Sequence, residues 1–175
     1  MKSLFTRLTL LLAVTLSLTA CSKDKDENST HISVKIDGVV QNFSVNAMAM
    51  RMEQPADNVY SIQIAGASAN LATASAVTLM IVSNEPLAPG KFGFGDLDDP
   101  NFSEKGGMIG FALNGTDAFM SSPDGPNLTE ITITSISSNS VQGTFKGNIF
   151  GLNPSGTALV EMSMTEGTFN VPIIR

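Results

Sequence analysis

The chain has 175 residues, with 16 acidic and 10 basic side chains, one His, one Cys and no Trp. One Cys excludes an internal disulfide, and one Cys with one His excludes a structural zinc site of the usual four-ligand kind. A hydrophobic content of 42% suffices for a packed core in a single domain and argues against general disorder.

Lys2 and Arg7 give the first residues a positive charge. The stretch from Leu8 to Leu18 is apolar apart from Thr and Ser. It is shorter than the about 20 residues that cross a bilayer, but it suits the apolar region of a secretory signal. Leu18-Thr19-Ala20-Cys21 follows at once and resembles a bacterial lipobox. That resemblance implies cleavage before Cys21, diacylglycerol on its thiol and acylation of the new amine. Residues 1–20 then form a lipoprotein signal peptide; the alternative is an ordinary signal peptide with Cys21 as a free thiol. Each buried methylene of a lipid contributes about 0.8 kcal/mol, so two or three chains anchor durably. The expected partner is the membrane, reached through the lipid.

Residues 21–30 read as a flexible acidic spacer, polar from Ser22 to Thr30. Asp24, Asp26 and Glu27 beside Lys23 and Lys25 resemble the surface-export signals of Bacteroidota lipoproteins. The resemblance implies the outer membrane, facing the cell surface; a linker facing the periplasm is the alternative. Without Lys2 and Arg7 the chain keeps 8 basic and 16 acidic side chains, net −8. The remaining cations are dispersed, which excludes a nucleic-acid footprint.

Residues 31–175 are expected to form a single all-β domain. Ile32, Val34 and Ile36 alternate with polar residues, Asp37-Gly38 marks a tight turn, and Phe43 and Val45 resume the alternation. Residues 31–46 therefore read as a hairpin. Tyr60, Ile62 and Ile64 alternate. Ala76 to Val82 is apolar at nearly every position, as in a strand covered on both faces. Residues 67–76 suit a short helical turn. Further alternating runs cover Ile131-Ile133, Val141 to Ile149, Ala158 to Met164 and Phe169 to Ile173. Asn114-Gly115, Asp124-Gly125 and Ser155-Gly156 separate such runs. About nine or ten short strands predict an antiparallel β-sandwich, with a closed antiparallel β-barrel as the alternative. Gly90-Lys91-Phe92, Gly143-Thr144-Phe145 and Gly167-Thr168-Phe169 each place Gly beside an aromatic on one strand face.

The Ile131-Thr132-Ile133-Thr134, Gly143-Thr144-Phe145-Lys146-Gly147 and Gly167-Thr168-Phe169-Asn170-Val171-Pro172 strands follow in that order. With the opening Val34-Lys35-Ile36-Asp37-Gly38, they resemble a family of small Bacteroidota lipoproteins with a domain of unknown function. The resemblance covers both ends of the domain and little of residues 47–120. It implies the fold and no catalytic residue.

Chemistry-bearing residues are sparse. His31 sits where spacer meets first strand and lacks a nucleophile motif around it. Asp96, Asp98, Asp99 and Glu104 form an oxygen-rich loop that could take Ca²⁺, although Pro100 falls where an EF-hand needs a ligand. Paired carboxylates would allow glycoside hydrolysis, but the aromatic platforms of sugar sites are missing. Met48, Met50 and Met52 share a strand face and could line a pocket for an apolar ligand. No cofactor motif is evident. The leading expectation is a lipid-anchored, non-enzymatic binding or interaction module; the alternatives are a carrier of a small apolar ligand and, third, a carboxylate-dependent hydrolase.

Overall fold

The computed structural model describes residues 29–68, 74–94, 105–115, 117–122, 128–153 and 155–174. They form an all-β fold without an α-helix. The strands are β1 (His31–Ile36), β2 (Val39–Asn42), β3 (Val45–Gln54), β4 (Val59–Ala67), β5 (Ala76–Ser83), β6 (Gly90–Phe94), β7 (Gly106–Leu113), β8 (Asp117–Ser121), β9 (Glu130–Ile136), β10 (Ser140–Leu152) and β11 (Leu159–Ile174).

All eleven strands belong to one sheet that runs round on itself, in the order β11-β3-β4-β5-β7-β6-β9-β10 and back to β11. β8 makes a second bridge between β7 and β10, and the β1–β2 hairpin lies along β11. The ring is not a regular barrel. Two contacts depart from the antiparallel expectation: β11 meets β3 in parallel at Ile173 and Ile174, and β6 meets β7 in parallel at Gly93 and Phe94. Both are short joins that close the ring.

The alternating sequences act as period two requires. Ile32, Val34 and Ile36 of β1, Ile62 and Ile64 of β4, Val77, Leu79 and Ile81 of β5 and Ile131 and Ile133 of β9 all enter one buried cluster. Asp37 and Gly38 both have positive φ, which suits the right-handed twist of a two-residue hairpin. The hairpin ends at Asn42 rather than 46. Phe43 leaves it to fill the core, its N–H donating to the Ile32 carbonyl at 2.8 Å, and Val45 opens a new strand. Phe43 meets Phe111 edge-on with centroids 6.1 Å apart.

β5 is covered on one face, not both. Met80 is 37% exposed on the outer side, since the ring carries a single internal core. Of the proposed helical turn, residues 69–73 lie outside the described residues; 67 and 76 are strand ends.

Two of the three Gly-x-Phe elements form a reciprocal pair. Gly143 of β10 faces Phe169 of β11, and Phe145 of β10 faces Gly167 of β11. A Cβ on Gly143 would overlap the Phe169 ring and the Thr132 carbonyl, and one on Gly167 would stand 2.7 Å from Phe145 Cδ1. Each ring therefore lies across the opposite glycine, with ring centroids 6.5 Å apart. Gly90 has no such neighbour: its nearest contact would be 4.0 Å away.

Candidate functional site

The outer surface of the ring divides into two chemically different faces. One runs over β1, β11, β10, β9 and β6. Its outward row is Ser33, Thr168, Thr144, Thr132 and Lys91, register partners on successive strands. Strand spacing of about 4.8 Å puts these hydroxyls in a polar ladder.

Beside the ladder, β11 carries one extra residue against both neighbours. Ser33 and Lys35 of β1 pair with Thr168 and Thr165, while Phe145 and Gly147 of β10 pair with Gly167 and Met164. One residue on each partner, Val34 on β1 and Lys146 on β10, thus opposes two on β11, a bulge shared by both sides. Glu166 sits in it with φ of 52°, and Gly147 across from it has φ of 152°. A left-handed conformation is unfavourable for a residue with a Cβ. Here the surrounding pairings of β11 with both neighbours hold it.

The bulge turns the Glu166 side chain outward, where it accepts a 2.6 Å bond from Lys35 Nζ. Glu130 of β9 receives Lys91 at 3.3 Å and Lys146 at 3.7 Å. Three ammonium groups and two carboxylates therefore border one area. They line two open grooves of about 490 and 870 Å³ that meet at Glu130 and Lys146. Val40 and Thr144 contribute to the first, Leu128 and Phe94 to the second. The Thr129 hydroxyl, buried beside Gly147 in the wall of the larger groove, has no hydrogen-bond partner among the described residues.

Replacing Glu166 by Gly should raise the stability of the fold by about 1 kcal/mol in chemical denaturation. The left-handed strain is relieved, and the exposed ion pair given up contributes little. Glu166→Ala keeps the strain and should give no such gain.

Elsewhere, the Lys105 ammonium bonded to Glu85 at 2.8 Å holds that carboxyl below the usual carboxylate range, through the hydrogen bond first and the charge second. A carboxyl with a depressed folded-state value stabilises above its unfolded value, and loses that contribution as pH falls through the folded one. In Lys105→Ala the Glu85 titration midpoint, followed by carboxyl NMR, should return to the ordinary range, with little change in midpoint of unfolding at neutral pH because both side chains face solvent.

The other face spans β3, β4, β5, β7 and β8. Met48, Met50 and Met52 lie on it; Met48 is half-buried, and Met50 and Met52 are 54% and 53% exposed. They point away from the core and line neither groove. Cys21 and the acidic loop of Asp96, Asp98, Asp99 and Glu104 lie outside the described residues. Among the described residues no three His, Cys, Asp or Glu side chains converge as metal ligands. His31 is half-buried at the start of β1, its Nδ1 2.8 Å from the Ser29 carbonyl. Among the described residues no helix is long and apolar enough to cross a membrane.

No family model, curated protein or solved structure matches the chain.

Sequence reasoning missed Lys35, Glu130, Lys146 and Glu166 as a group. A signal for the bulge is present: inward residues of β11 are even-numbered through Met164 and odd-numbered from Gly167. Such a change of parity within one strand requires an inserted residue.

Proposed function

We propose that the protein is a lipid-anchored, non-enzymatic binding module of the outer membrane, facing the cell surface, and that the bulged face of β1, β10 and β11 is its binding surface. The observation that carries the reading is the bulge at Glu166. It spends backbone strain to set charged groups of both signs round an open groove, and strain of this kind concentrates at functional sites. The grooves are bordered by Lys35, Glu166, Lys146, Glu130 and Lys91, so the partner they suit is polar and hydrogen-bonding. Each groove carboxylate is engaged by a lysine, an arrangement suited to holding a ligand rather than to proton transfer. The interior is filled by Ile, Val and Phe side chains, which supports surface binding over carriage of an apolar ligand inside.

The anchor is Cys21, and the acidic spacer supplies the reach. Substituting Cys21→Ser should abolish incorporation of labelled palmitate and move the protein from the membrane to the soluble fraction. A substituted protein that stays membrane-bound would overturn the anchor. Protease added to intact cells should remove the domain; full protection would overturn the surface assignment. For the groove, Glu130→Lys with Lys146→Glu should abolish crosslinking of the protein to its cell-surface partner while leaving circular dichroism unchanged. Undiminished crosslinking would move the binding surface elsewhere.

A further inference from the structure

Methionine in this chain lies mostly outside the core. Met164 is the one methionine of the buried cluster, whose other members are Ile, Val, Leu, Phe and Ala. Met48, Met50, Met52, Met80, Met108 and Met120 instead occupy the outer face opposite the grooves. Methionine is ordinarily among the more buried residue types, filling irregular gaps in cores. Here Met50, Met52 and Met120 are each more than half exposed and Met80 is 37% exposed, against 1% for Met164.

The register sets a hydrogen-bond donor beside three of these exposed thioethers. Gln63 of β4 is the direct partner of Met50 on one side and of Met80 on the other. All three side chains point outward, and directly opposite residues hold their Cβ atoms about 5 Å apart. Ser61 stands opposite Met52 in the same way. The Gln54 side-chain amide already donates to the Met52 sulfur, with Nε2 to Sδ at 4.0 Å. A thioether sulfur is a weak acceptor, whereas a sulfoxide is polar and takes such donors better.

We propose that Met50, Met52, Met80 and Met120 form an oxidant-scavenging surface, each converted reversibly to its sulfoxide by a two-electron oxidant of the hypohalous acid class. With hypochlorous acid one S–O bond forms and the O–Cl bond breaks. Sulfur loses two electrons, chlorine gains them, and chloride and a proton leave. Each thioether reacts by itself, so the sulfurs need not meet. The fold withstands the change because these side chains stand outside the core, where a sulfoxide faces water and the donors of Gln54, Ser61 and Gln63. Oxidation of Met164 would instead place a polar group in the core and disrupt its packing. The exposed thioethers are consumed first and shield it. The reverse step takes methionine sulfoxide reductases, one for each sulfoxide epimer, and a thiol reductant. This reading is independent of the groove.

The full chain carrying Cys21→Ser, so that no thiol competes, is titrated with hypochlorous acid, and oxygen uptake at each methionine is followed by peptide mass spectrometry. Met50, Met52 and Met120 should gain oxygen first and Met80 next, with circular dichroism and the melting midpoint unchanged. Met164 should stay reduced until those four are consumed. The two sulfoxide reductases with dithiothreitol should then remove the added oxygen from all four. A chain carrying Met50→Leu, Met52→Leu, Met80→Leu and Met120→Leu together keeps side-chain volume. In it the delay before Met164 oxidation should shorten by about one equivalent of oxidant for each thioether removed, as the one-to-one reaction requires. Oxidation of Met164 as early as the surface four would overturn the proposal. So would a melting midpoint that falls while only those four carry oxygen, or an unchanged delay in the Leu variant.

Discussion

Gly143→Ala should lower the stability of the domain by about 3 kcal/mol or more, a fall of roughly 10 °C in the unfolding midpoint. The added methyl overlaps the Thr132 carbonyl of β9 and the Phe169 ring of β11 together. A ring can change rotamer, but a carbonyl held in the β9–β10 ladder can move only with the strand. Trimming the aromatic in a Gly143→Ala, Phe169→Leu double variant should therefore recover only part of the loss. Gly167→Ala should behave alike, since Phe145 blocks it in the reciprocal position. Gly90→Ala is the informative contrast. It belongs to the same three-residue element, yet open space surrounds it, and its cost should stay within about 0.5 kcal/mol. Thermal melts of the three variants side by side decide the matter; equal losses at all three positions would refute the reciprocal packing.

Phe43→Ala should cost about 3–5 kcal/mol, a large share of the roughly 5–15 kcal/mol that holds a typical domain folded. Phe43 is fully buried, tied to β1 through its N–H and set edge-on against Phe111, which in turn meets Phe119. It also marks where the chain passes from the β1–β2 hairpin into the ring. Val39→Ala and Val40→Ala, on the exposed edge strand β2, should change stability by less than about 0.5 kcal/mol. Urea unfolding of these variants separates the two expectations. A Phe43→Ala midpoint close to that of the parent would mean that this crossing is not part of the core.

The two faces give the mutational map a clear division. Changes at Lys35, Glu130, Lys146 and Glu166 should alter binding with little loss of stability, because each side chain stands outside the core and exposed ion pairs contribute little. Changes at Gly143, Gly167 and Phe43 should alter stability first.

Much of this is legible in the sequence. Strand positions follow from period two, since a side chain on a pleated strand can face only core or solvent. The Asp37-Gly38 and Asn114-Gly115 turns were readable because both residues of each must take positive φ, which few residue types accept. The role of Gly143 and Gly167 was half legible. A glycine beside an aromatic suggested room for a ring, but each glycine serves the ring on the neighbouring strand. Nothing local distinguishes Gly90 from them.

By itself, then, the amino-acid order determined an all-β fold, the identity of most core residues, and the turns at Asp37-Gly38 and Asn114-Gly115. Local sterics and hydrophobic alternation act over a few residues and need no partner. Only the tertiary structure decided that one sheet closes on itself through two short parallel joins, and that residues 159–174 form one bulged strand. It alone put Lys35, Lys91, Lys146, Glu130 and Glu166 on one face and Met48, Met50, Met52, Met80, Met108 and Met120 on the other. Those outcomes depend on strand register, and register is set by pairing between segments far apart in the chain.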